Sequence, residues 1–137
     1  MLGTAQAQIT QKEKVYSRPY FGSVTKLVTT FEDQSSETRL VWTTRDMKYK
    51  HLVQYITVYS GTPEEFAQFC DELLAFAQEH KSDASTRIHD THVSVDKFMG
   101  AQQLTIYEKR PGGSLHGYRM FTPKQIAKAQ AKILGKL

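Results

Sequence analysis

Two junctions between a predicted strand and a predicted helix constrain this chain more than any other feature. They read Thr62-Pro63-Glu64-Glu65 and Thr122-Pro123-Lys124-Gln125, and each follows a short β-like run that contains aromatic residues. A threonine at the N-cap accepts a hydrogen bond from the first helical turn, and a proline at the first helical position needs no N–H donor. Glu65 and Gln125 lie three residues after their threonines, which completes a capping box at both places. The junctions therefore predict two helices, each entered directly from a strand.

The remaining apolar pattern predicts a two-layer α+β sandwich. Helical periodicity covers about residues 63–80 and 123–134, and Gly135 is placed to end the second helix. Strand-like runs occupy residues 23–32, 38–44, 51–59, 88–96, 102–109 and 115–121. Short polar turns join most of these runs, so we expect one antiparallel sheet of about six strands with both helices on one face, in the order β-β-β-α-β-β-β-α. A duplicated half is the alternative, but beyond the capping boxes the two halves share little sequence.

The chain length of 137 residues fits one domain, which we place at residues 23–137. Residues 1–22 show no sustained period and are predicted to form a signal-peptide remnant and an extended N-terminal arm. The segment Ala5-Gln6-Ala7 before Gln8 matches the small-residue pattern that precedes signal cleavage, which predicts export to the periplasm or beyond; a chance match would leave the protein cytoplasmic. No apolar run approaches the roughly 18 residues of a membrane-spanning helix.

Several catalytic classes lack their sequence signatures. The single cysteine, Cys70, excludes an internal disulfide and falls on the apolar face of the first predicted helix, which is typical of a buried side chain. No G-x-S-x-G elbow occurs, and Pro111-Gly112-Gly113 separates two strands where a phosphate-binding loop would precede a helix. We therefore expect no cofactor, and the sequence favours a function other than catalysis.

A metal-assisted hydrolase is the enzymatic alternative, built around His89, Asp90 and His92. On a continuous strand, His89 and His92 would face opposite sides, because side chains alternate with a period of two. A site would then need Asp90 and His92 together with a residue from elsewhere, such as His51 or His116. The pattern is weak, because closed zinc sites usually show tighter ligand pairing.

Basic residues give a collective signal on the second helix. The formal net charge is +4, and four lysines recur every four residues to make one stripe: Lys124, Lys128, Lys132 and Lys136. Such a stripe is most often a solvated face; the functional alternative is weak binding of an anionic surface such as nucleic acid or a membrane. No aromatic residue lies on the second helix, so the sequence disfavours nucleic acid as a partner.

Aromatic residues on strands suggest the main function. If the helices cover one face of the sheet, the other face is expected to expose Trp42, Tyr55, Tyr59 and Tyr107. Tyrosine and tryptophan are enriched in interfaces, although strands also favour them as half-buried residues. We therefore predict a non-catalytic binding module that contacts a protein or a small molecule through its open sheet face. The partner and the oligomeric state do not follow from the sequence.

Overall fold

The computed structural model describes residues 7–48, 53–109 and 115–137. Within these ranges the chain forms two helices and eight strands, and a ββββα order occurs twice. The elements are β1 Gln8–Arg18, β2 Gly22–Thr30, β3 Ser36–Arg45, β4 Tyr55–Gly61, α1 Pro63–Glu79, β5 Ala84–Ile88, β6 Thr91–Phe98, β7 Ala101–Lys109, β8 Leu115–Phe121 and α2 Pro123–Leu134. The predicted Pro111-Gly112-Gly113 turn and the Ala5-Gln6 part of the cleavage pattern lie outside the described residues.

The strands form two antiparallel sheets of four, in the orders β1-β2-β3-β4 and β5-β6-β7-β8. The α+β class is confirmed, whereas the prediction of a single six-stranded sheet is wrong. The two strands that were not predicted are β1, which lies in the expected N-terminal arm, and β5, which precedes and slightly overlaps the strand-like run at residues 88–96. Both are edge strands of their sheets and consist mostly of polar residues, so neither shows the apolar alternation that marks a buried strand.

Both helices begin at the predicted capping boxes. The Thr62 hydroxyl accepts from the Glu65 N–H at 3.2 Å, and the Glu65 carboxylate accepts from the Thr62 N–H at 2.8 Å. The second box repeats this pattern with Gln125 in the place of Glu65. At the other end of α1, Gln102 Nε2 donates to the carbonyls of Ala77 and His80 at 2.6 and 2.8 Å. A side chain of β7 thus satisfies carbonyls that the helix itself leaves open.

The helices pack against each other, and each contacts strands of both sheets. Four aromatic residues from both halves of the chain meet in the shared core: Phe21, Trp42, Phe66 and Phe121. The rings of Phe21 and Trp42 stack at 4.5 Å, and the Phe121 ring lies 4.9 Å from that of Trp42. Since Trp42 belongs to the first sheet and Phe121 to the second, one apolar core holds the two sheets and the two helices together.

Polar contacts join the two sheets along a line that we call the seam. The Met47 N–H donates to the Tyr118 carbonyl at 2.9 Å, and the buried Asp46 carboxylate accepts from the Tyr118 N–H at 3.1 Å. A β-carbon on Gly117 would lie 2.5 Å from that carboxylate, so only glycine fits at this approach. Farther along, the Thr57 N–H donates to Glu108 Oε2 at 2.6 Å. The seam therefore places the end of β3 beside β8, and β4 beside β7.

The described residues form two helices, α1 and α2. Neither is long and apolar enough to cross a bilayer.

Candidate functional site

Trp42 does not lie on an exposed face, because its side chain is fully buried in the core. It shares one side of β3 with Leu40 and Thr44, which are also buried, and its Nε1 donates to the Phe21 carbonyl at 3.3 Å. The satisfied indole N–H explains how so large an amphipathic ring is accommodated inside. Trp42 is therefore a core residue and does not belong to the predicted binding surface.

A β-bulge separates the two tyrosines of β4. Trp42 pairs with Tyr59 and the next residue of β3, Thr43, pairs with Thr57, so the register omits Val58. One extra residue reverses the alternation of side chains beyond it. Tyr59 consequently faces α1, where its ring stacks on Phe69 at 4.3 Å. Tyr55 points the other way and is 70% exposed, so the two tyrosines do not form one patch.

Tyr107 lies on the predicted open face. Apolar residues of the second sheet point into the core: Val93, Val95, Leu104 and Ile106. The residues that alternate with them point away and include His92, Tyr107 and Tyr118, which are partners in register across β6, β7 and β8. Their neighbouring rings are 5.1 and 5.8 Å apart. We call these three side chains the aromatic row.

A cleft of about 400 Å³ opens at the seam beside Tyr107. We call it the seam cleft, and its lining residues come from β4, β6, β7 and the β5–β6 turn: Thr57, Val58, Tyr59, Ser60, His89, Thr91, Tyr107 and Glu108. The volume falls within the range of small-molecule sites. Two of the predicted binding residues, Tyr59 and Tyr107, are thus brought to one concave surface, although they come from different sheets.

The electrostatics of the seam cleft are acidic. Glu108 is the one carboxylate in the described lining, which includes no lysine or arginine. Behind the lining, Glu72 Oε2 lies 2.8 Å from His89 Nε2. Burial raises the pKa of Tyr59, and the charges of Glu65 and Glu72 raise it further, while Arg39 acts in the opposite sense. The Tyr59 hydroxyl is therefore held in its neutral form, as a donor, and Arg39, which also contacts Ser60 of the lining at 3.4 Å, offsets part of the negative charge.

The predicted metal residues are not brought together. His89 and Asp90 form the tight turn between paired residues Ile88 and Thr91, with φ of 48° and 66°, whereas a continuous strand was expected there. Asp90 lies 3.7 Å from Arg87, and the His92 ring belongs to the aromatic row. In the described ranges, no cluster of three or more histidine, cysteine or acidic side chains is positioned to hold a metal ion. His51 and the side chain of His116 lie outside what the structure describes.

The lysine stripe lies on the exposed side of α2 and is extended by β1. A groove of about 500 Å³ between these two elements is lined by Lys14, Arg18, Lys132 and Lys136 together with Val15, Tyr16, Ser17, Ala131 and Gly135. A smaller hollow of about 210 Å³ shares Tyr16 and Arg18 with it and reaches Tyr20 and Lys128. We call the two together the basic groove. The sequence did not reveal it, because only the fold shows that β1 lies beside α2.

Comparisons with known proteins give no family or fold assignment: no protein-family model, no curated protein and no solved structure matches the chain. The seam cleft, the aromatic row and the basic groove are therefore the features of this molecule that point to a function.

Proposed function

We propose that this protein is a non-catalytic binding module and that the seam cleft holds a small ligand bearing an amine. One observation carries the proposal: Tyr59, Tyr107 and Glu108 line a single cleft although β4 and β7 belong to different sheets. Convergence of an acid and two aromatic side chains from separate segments is typical of a ligand site.

The charge of the seam cleft favours a positively charged ligand. Glu108 supplies a carboxylate in the described lining, and Glu65 and Glu72 add negative charge near Tyr59, which Arg39 offsets in part. Aromatic rings beside carboxylates attract organic cations, because the negative ring face and the carboxylate act in the same direction. An amine also carries donors that suit the Glu108 carboxylate.

Binding is favoured over catalysis by the state of the possible nucleophiles. Ser60 and His89 both line the seam cleft, and Glu72 contacts that histidine, so the three residue types of a hydrolytic triad are present there. The hydrogen bond that Ser60 Oγ makes with described residues is accepted from Arg39 Nη2 at 3.4 Å, whereas a triad requires a bond to the histidine. Cys70 is buried in α1, away from this lining.

The proposal is tested by ¹H–¹⁵N NMR titration with spermidine, with sodium acetate as the matched anion. Spermidine is expected to shift the amide signals of residues 57–60 and 107–108. Glu108→Gln keeps an acceptor for the Thr57 N–H but removes the charge, so it should weaken these shifts. The control is Asp96→Asn, which removes an exposed carboxylate outside the lining of the cleft. Equal shifts with acetate, or unchanged titration of Glu108→Gln, would contradict the proposal.

Export of the protein remains a proposal that rests on the Ala5-Gln6-Ala7 pattern. Mass spectrometry of the protein from its native host tests it, since cleavage after Ala7 would leave a chain that begins at Gln8.

A further inference from the structure

We propose that the basic groove binds single-stranded nucleic acid. This site is separate from the seam cleft, since the two share no lining residue. The groove combines cationic side chains with an exposed aromatic side chain at its end.

The charge of the basic groove has one sign throughout its described lining. Five cationic side chains contribute: Lys14 and Arg18 from β1, Lys128 and Lys132 from α2, and Lys136 just beyond the end of α2. No aspartate or glutamate appears among the described residues that line it. From Lys128 to Lys132 the helix rises about 6 Å, and Lys136 follows just beyond its end, so the lysines form a row along which successive phosphates of an extended strand can lie.

One contact across the basic groove and one along β1 hold its cations in place. Lys136 Nζ donates to the Val15 carbonyl at 2.7 Å, which ties the end of α2 to β1. The Arg18 guanidinium lies 4.9 Å from the centre of the Tyr16 ring, and the Tyr16 side chain is itself buried. These contacts orient two of the cations before any ligand arrives, which lowers the entropy that binding must overcome.

An exposed tyrosine distinguishes nucleic acid from other polyanions. Tyr20 lies beside Arg18 and Lys128 in the smaller hollow and is 74% exposed. A base of a single strand can stack on such a ring while its phosphates follow the lysines, and this combination is typical of proteins that bind single strands. A sulfated polysaccharide has no base to stack, and the bases of a duplex are paired and stacked already.

The test measures fluorescence anisotropy of a labelled oligothymidylate of about 12 nucleotides, a length within the usual site sizes. Lys132→Glu is expected to weaken binding and to reduce the magnitude of the slope of log affinity against log salt by about 0.7, because one phosphate contact to a single strand is lost. Tyr20→Ala is expected to weaken binding by about 5- to 100-fold with an unchanged salt slope, because it removes stacking and no charge. The matched control is Lys97→Glu, which reverses an exposed charge on β6, outside the groove. Circular dichroism of each variant confirms that it is folded.

Competition experiments separate the alternatives. If Tyr20→Ala left the affinities for both a heparin fragment and the oligothymidylate equal to those of wild type, the proposal would be overturned in favour of general polyanion binding. Preference for a duplex of the same sequence would overturn it as well. Equal affinities of Lys132→Glu and Lys97→Glu would show that the groove is not the site. If Lys132→Glu fails to fold, Lys14→Glu on β1 provides the same test from the opposite wall.

Discussion

Replacing each tyrosine of β4 by alanine tests the bulge at Val58. The two substitutions delete the same atoms from one strand, but Tyr59 stacks on Phe69 whereas Tyr55 is 70% exposed. Truncating a fully buried aromatic side chain costs about 3–5 kcal/mol. Tyr59 is partly buried, so we expect Tyr59→Ala to lower the free energy of unfolding by about 2–3 kcal/mol, which includes the loss of the ring stack. Tyr55→Ala should change it by less than about 0.5 kcal/mol.

Thermal unfolding followed by circular dichroism measures this difference. For a domain of this size, 1 kcal/mol shifts the Tm by about 4 °C, so Tyr59→Ala should melt about 10 °C below wild type and Tyr55→Ala within about 2 °C of it. Tyr59→Phe keeps the stacked ring and should remain close to wild type. If the two alanine variants melted together, Tyr55 and Tyr59 would share an environment, and the reversal of the alternation at Val58 would be refuted.

Three further predictions concern the helices. Gln102→Glu should lower the free energy of unfolding near neutral pH by about 2 kcal/mol, because the carbonyls of Ala77 and His80 lose their donor and face a carboxylate instead. These carbonyls raise the pKa of the folded carboxyl, so urea unfolding should show the deficit shrinking as the pH falls toward the unfolded glutamate pKa of about 4.3, where the protonated acid can donate again. Burial, aided by the charge of Asp71, raises the pKa of Cys70 to about 12, so iodoacetamide at pH 8 should label it only in denaturant; rapid labelling of the native protein would contradict its burial. The hydrogen bonds from the Thr62 N–H and hydroxyl lower the pKa of Glu65, so its stabilising effect is present above the pKa of an unfolded glutamate and is lost as the pH falls through the lower folded value. Glu65→Gln should remove that part of the acid sensitivity, and unfolding curves at pH 3 and pH 7 measure it.

The helices could be predicted from the sequence because their signals are local. A capping box occupies four consecutive residues, and the apolar period of a helix is complete within a few turns. Both capping boxes form as predicted, and α2 ends at Leu134 as predicted. The hairpin of β2 and β3 could also be predicted from the sequence, because its β-branched and apolar residues are continuous along the chain.

The strand count and the site depended on non-local contacts. β1 is made regular by pairing with β2, and its own polar side chains do not reveal this. The bulge shifts the register by one residue, which no composition rule detects, and so the sequence grouped Tyr55 with Tyr59 on one face. The turn at His89 and Asp90 uses left-handed backbone at two residues other than glycine, which removes the usual turn signal. The seam cleft could not be predicted from the sequence, because its walls come from two sheets that meet only in the folded protein.

The shared aromatic core also determines how the molecule should respond to truncation and to proteolytic cleavage. Phe21 and Trp42 come from the first ββββα unit and Phe121 from the second, and their rings interleave. A fragment comprising one unit would expose these rings to water and should aggregate when expressed alone. A chain nicked by a protease between α1 and β5 should instead elute as one particle, because each piece completes the interior of the other.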